Sequence, residues 1–134
     1  MMESERISWI LYRKKQILFE DYSGLNGTEM LEVLQASKKI FDSLREPVPV
    51  LLDFSRSIIS NEFMNEFMRL GGQYVSLIKK GASIGVDGPK KALSTMYFVY
   101  TGQGHKSKIC ETKDEALEYL VEPLNSNRAV EAVS

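Results

Sequence analysis

Apolar residues along this chain fall into stretches of two periods, and the alternation between them outlines the fold. Ile7 to Tyr12 is short, β-branched and aromatic, which predicts a strand. Arg13 to Gln16 is a polar break, and Ile17 to Tyr22 is a second strand. So short a connection makes the two an antiparallel hairpin. Ser23 to Gly27 is rich in turn formers, and Asn26 then predicts a helix N-cap with Glu29 as its capping-box partner. Met30, Leu31, Leu34, Ile40, Phe41 and Leu44 recur at helical spacing, and Pro47 and Pro49 close that helix. Val50, Leu51 and Leu52 form a continuous apolar run ending at Asp53, the pattern of a parallel strand buried on both faces.

A second helix is expected from Asn61 to about Lys80, with Ser60 or Asn61 as cap and Lys79-Lys80-Gly81 as its stop. Ala82 to Val86 reads as the next strand. Gly88-Pro89 opens a third helix carrying Ala92, Leu93, Met96, Tyr97 and Tyr100, with Phe98 on another side. Ser107 to Cys110 is a last short strand. Thr112 and Glu115 form a capping box for a final helix through Ala116, Leu117, Tyr119 and Leu120, which Pro123 stops. Residues 1–122 are thus expected to form a single α/β domain, and residues 123–134 a loose tail. The element order predicts one mixed five-stranded sheet with about four helices. Its first strand is antiparallel, the rest are mostly parallel, and Val50–Asp53 is central.

Composition narrows the function classes. The chain has 134 residues, 43% hydrophobic and 26% charged, the balance of a globular protein rather than a disordered one. A formal net charge of −1 supplies neither an electrostatic footprint for nucleic acid nor a polybasic membrane anchor. Met1 to Arg6 is charged and lacks the apolar stretch of a signal peptide, and no apolar run is long enough for a transmembrane segment. Cys110 is the sole cysteine, so no intrachain disulfide forms, which fits a reducing compartment. The expected location is therefore the cytoplasm.

The same residues supply no recognisable catalytic centre. His105 is the only histidine, and with Cys110 alone nearby it lacks the ligands of a metal site. Gly85 to Gly88 has neither the P-loop lysine spacing nor the dinucleotide fingerprint. Neither metal nor cofactor is expected. Asp21, Asp53 and Asp87 stand at or near strand ends, where they are expected to cap loops and helices.

Two features remain as candidate sites. Ser60 is a candidate N-cap or phosphoacceptor, since a phosphate at a helix N-terminus meets free N–H groups and the positive dipole end. The helix from Asn61 carries apolar residues over an arc of roughly 180°, wider than the roughly 100° that one sheet face covers. Its excess edge is Met64, Met68 and Val75, extended upstream by Ile58 and Ile59. That edge is expected either to be covered by a neighbouring helix or to form an exposed patch for a protein partner, a second copy or an apolar ligand.

Several segments also carry a family likeness. Phe19 to Leu25, Leu51-Leu52-Asp53, Ala82 to Gly88 and Ile109 to Leu120 stand in the order and spacing of the SpoIIAA-like domains, the STAS type of small bacterial α/β module. Over residues 7 to 122 the chain resembles that family. The resemblance implies a non-enzymatic, regulatory protein-interaction module. In the anti-sigma-factor antagonists that name the fold, a serine near the start of the helix after the central strand is phosphorylated and switches partner binding. Those proteins show Asp-Ser-Ser-Gly there, whereas this chain has Ser57-Ile58-Ile59-Ser60-Asn61. The family also shades into lipid-binding relatives of the CRAL-TRIO type. The alternative implied is therefore a small apolar-ligand or lipid-binding domain.

Overall fold

The computed structural model describes residues 3–123. The tail expected over residues 123–134 lies outside the described residues except for Pro123. A single helical turn, α1 (Glu3–Arg6), leads into β1 (Ile7–Tyr12) and β2 (Lys15–Asp21), which pair antiparallel. Then follow α2 (Gly27–Ser43), β3 (Val48–Asp53), α3 (Asn61–Gln73), β4 (Ile78–Ile84), α4 (Pro89–Thr101), β5 (Ser107–Ile109) and α5 (Lys113–Val121). The strands form one sheet in the order β1-β2-β3-β4-β5, parallel from β2 onward. The expected mixed sheet with its antiparallel first strand is what the chain forms, and β3 is its centre.

Strand alternation divides the core into two layers. On one face Leu18, Val50 and Ile78 meet Met30, Leu34 and Phe41 of α2 and Phe63 and Leu70 of α3. On the other, Ile17, Leu51, Ala82 and Ile84 meet Ala116, Leu117 and Leu120 of α5. Helix α4 packs chiefly on α3, outside the first layer. Among the described residues, no helix is long and apolar enough to cross a membrane.

Three expectations need correction. The helix from Asn61 stops at Gln73 rather than near Lys80, with the Tyr74 N–H closing on the Leu70 carbonyl. Strand β4 then begins at Ile78, so Val75 lies in a 3-10 turn (Val75–Leu77) and not on α3. The pairing of β3 with β4 shifts register between Val48 and Pro49, so Lys79 is an extra residue that flips the strand's parity. Lys80 consequently points inward beside Ala82 and is buried. Its ammonium donates to the Tyr119 and Glu122 carbonyls at 2.6 and 3.0 Å, closing the C-terminal end of α5 as a cation should. Of the expected helix stop Lys79-Lys80-Gly81, Lys80 is thus a buried tether between sheet and helix, while Lys79 is exposed.

Asn26 is the N-cap of α2, but its side chain makes no capping bond. Its backbone instead bridges Ile58, drawing the loop before α2 against the loop before α3. At α5 the expected cap forms, Thr112 Oγ1 accepting from the Glu115 N–H at 3.1 Å, while the Glu115 carboxylate reaches one residue past the cap to accept from the Glu111 N–H at 3.0 Å.

Candidate functional site

The first core layer leaves a cavity of about 80 Å³ between the sheet, α2, α3 and α4. Its walls are mostly apolar: Leu34 and Phe41 from α2, Val50 from β3, and Phe63, Met64 and Phe67 from α3. That volume lies below the roughly 300–1,000 Å³ of pockets that enclose drug-sized ligands.

Polar side chains also line the cavity, Glu20 and Ser37 among them. Glu20 on β2 is buried, and its carboxyl oxygens accept from the Tyr22 hydroxyl at 2.8 Å and the Ser37 hydroxyl at 2.7 Å. Burial pushes this carboxyl above its ordinary value, against the opposing pull of those two hydrogen bonds. The Tyr22 phenol is itself raised, by burial first and by Glu20 second. Among the described residues no ion pair joins Glu20 to a cation.

The aromatic rings form a continuous path from Tyr22 to α4. Tyr22 stacks on Phe54 at 5.2 Å, Phe54 meets Phe67 edge-on at 5.8 Å, and Phe67 stacks on Tyr97 of α4 at 4.6 Å. Gly71 is what admits Tyr97, because a Cβ there would overlap the tyrosine ring, 2.7 Å from its Cε1. Buried Gln103 fixes the joint, its amide donating to the Gly71 carbonyl and the Tyr97 hydroxyl at 3.2 Å each. Burial also raises the Tyr97 phenol. At the start of α4, Lys90 Nζ donates to the Phe54 carbonyl at 2.8 Å, pinning that end to the sheet.

Helix α4 is therefore apolar on both sides. Leu93, Tyr97 and Phe98 line the cavity. Met96, Val99 and Tyr100 face outward, 52, 79 and 63% exposed. This reverses the expected orientation, in which Phe98 stood apart from the face of Leu93, Met96 and Tyr100.

The expected edge on α3 does not stay together. Met64 is only 6% exposed and belongs to the cavity wall; Met68 and Val75 are half-buried. The physical reason is lateral cover, since α3 is flanked by both α2 and α4. Ile59 packs against the core, while Ile58 is exposed beside the bridge to Asn26. Ser60 caps α3, its Oγ accepting from the Phe63 N–H at 3.0 Å. Asp21 and Asp53 accept from the N–H groups of Ser23 and Ser55 at 2.9 and 2.8 Å, tightening the turns after their strands. Cys110 is buried and its thiol is raised by desolvation, the opposite of what activates a nucleophile.

The cavity and the outward face of α4 had only faint sequence signals. Glu20 follows directly on the apolar run Ile17-Leu18-Phe19, and the density of apolar residues in α4 exceeds one stripe. No family model matches the chain, and no curated protein does. Among solved structures it is similar to an uncharacterized protein of the DUF3478 family from Shewanella loihica PV-4, described as having a SpoIIAA-like fold. The TM-score is 0.67 at 17% identity, over 85% of this chain and 91% of that one. At that identity the likeness establishes the fold alone: the chain has a SpoIIAA-like fold.

Proposed function

We propose that this chain is a non-catalytic, regulatory binding module of the STAS type that acts by holding a protein partner. The observation that carries this reading is the outward face of α4, where Met96, Val99 and Tyr100 stand in solvent on consecutive turns. Leaving such a stripe in water is unfavourable by about 25 cal/mol per Å² of apolar area, so a surface that covers it is favoured. A partner of matching chemistry offers an apolar groove or helix face. Because α4 rests on α3 more than on the sheet, a partner engages it without disturbing the central strands. The reading places the module in the cytoplasm, where Cys110 remains a thiol.

The test is native mass spectrometry of the chain purified from its host. The expected spectrum shows a second, different protein with the wild type, lost in a Met96→Glu, Val99→Glu double variant that keeps its circular dichroism. A wild type that travels without a different protein, or a double variant that retains one, refutes the reading.

A second reading is favoured by the cavity itself, which has mostly apolar walls, polar groups at Glu20 and Ser37, and Leu93, Tyr97 and Phe98 of α4 on one side. In this reading the domain holds a small apolar molecule or a lipid, and α4 swings outward to make room. The same spectrum then shows a small-molecule mass retained under native conditions and released by organic solvent.

A further inference from the structure

The two edges of the sheet are built differently. β5 has three residues, includes Lys108, and pairs over Gly81 to Ser83 only. Short, charged edges of this kind resist pairing with other chains. β1 has six residues, Ile-Ser-Trp-Ile-Leu-Tyr, with no charge, no proline and an unbroken register against β2. Among the described residues nothing pairs with its outer side, since β1 ends the sheet.

The register fixes which backbone groups face outward. β1 and β2 are joined by a two-residue turn, Arg13-Lys14, closed by the pair Tyr12 and Lys15. In such a hairpin the closing pair exchanges both hydrogen bonds, and bonded and non-bonded pairs then alternate. Tyr12, Ile10 and Ser8 therefore bond to β2. The N–H and C=O groups of Leu11, Trp9 and Ile7 point away from it. Side chains alternate in the same step, so these three share one face of the sheet, the face that carries α2. Trp9 and Leu11 are 44 and 67% exposed there, while Ile7 is buried.

We propose that β1 is the interface for a second copy of this chain, pairing antiparallel about a two-fold axis at Trp9. An axis at that position sets Trp9 opposite the other copy's Trp9, and Leu11 opposite the other copy's Ile7. All three outward residues then meet outward residues, so every free edge group finds its complement. A two-fold contact demands a patch complementary to itself, and a strand without charge meets that demand without like-charge repulsion. The product is one continuous ten-stranded sheet with α2 of both copies on the same face, and with Trp9 and Leu11 taken out of water. This interface is separate from the outward face of α4 and stands whether or not a partner binds there.

The sole tryptophan of the chain lies on the axis, so its emission reports the association directly. Sedimentation equilibrium of the wild type is expected to give a dimer that dissociates on dilution, with a red shift of Trp9 emission over the same range. Leu11→Pro removes an outward N–H and leaves the bonds to β2 intact, since those come from Ser8, Ile10 and Tyr12. Two hydrogen bonds are lost per dimer with their carbonyls left unpaired, which weakens association by about a hundredfold. Trp9→Lys is the second variant: it places two like charges opposite each other on the axis and is expected to be a folded monomer. Met96→Glu is expected to leave the dimer unchanged. A wild type that remains monomeric at the highest soluble concentration overturns the proposal, whether the edge is covered by another part of the chain or by nothing. A folded Leu11→Pro variant that dimerises with wild-type affinity, or a folded Trp9→Lys variant that remains a dimer, overturns it equally.

Discussion

Glu20 sits in β2 with its carboxyl between Tyr22 and Ser37, and among the described residues no ion pair joins it to a cation. Its folded-state pKa is raised by burial above the ordinary value of 4.5. Folding therefore takes up a proton at this site. The contribution is fully present below the unfolded value and is lost as pH rises toward the folded one. Glu20→Gln keeps the size and the two hydroxyl contacts but cannot ionise. Thermal melts across a pH series should show the wild type losing stability against this variant as pH rises above 4.5; parallel curves would contradict the assignment. Ser60 works on a smaller scale. Ser60→Ala is expected to cost roughly 1 kcal/mol in urea denaturation, and Ser60→Asp to be nearly neutral because aspartate also caps. If aspartate costs as much as alanine, the Oγ bond to Phe63 is not what holds the start of α3.

At the scale of elements, what could be read from sequence depended on whether one local signal dominated. The Val50–Leu52 run and the Thr112 cap were legible because hydrophobic pattern and cap chemistry agreed. The turn Arg13-Lys14 was legible only as a polar break. Both residues adopt positive φ, 51° and 68°, which asparagine and glycine normally announce. The end of α3 was hidden because apolar residues continue at helical spacing through Ile78, while the 3-10 turn and the extra residue Lys79 answer to tertiary pairing. The candidate site was less legible still. That Met64 becomes a cavity wall depends on where α2 and α4 lie, and no local pattern encodes that. Gly71 shows how narrow such a dependence is. Gly71→Ala puts a methyl group into the ring of Tyr97, and overpacking of this kind costs roughly 1–3 kcal/mol. The cost should fall on α4 rather than the sheet. Hydrogen exchange is expected to quicken across 89–101 while β3 stays protected; uniform quickening would mean that α4 belongs to the same cooperative unit as the core.

Across the whole molecule, the two core layers are unequally roofed. One face of the sheet carries α2 and α3 with α4 outside them, and the other carries α5, held by the Thr112 cap and the Lys80 ammonium. The strands between are shared by both layers, so damage there cannot be confined as it is in α4. Leu51 is the sharpest case. It lies on the central strand, is fully buried, and meets the α5 layer, while its neighbours Val50 and Leu52 belong to the opposite layer. Leu51→Asp puts a carboxylate in that layer, and both of its responses are unfavourable. If it stays ionised it lacks a partner, and an uncompensated buried charge costs several kcal/mol. If it takes up a proton, it still replaces an apolar side chain with a polar group among Ile17, Ala82, Ile84 and Leu117. Either cost rivals the total of about 5–15 kcal/mol that holds a domain of this size. The expected outcome is loss of the cooperative thermal transition, read by circular dichroism, with α2, α3 and α5 melting together. A variant that melts near the wild-type temperature would mean that the α5 layer opens alone and that β3 is not the element joining the two layers.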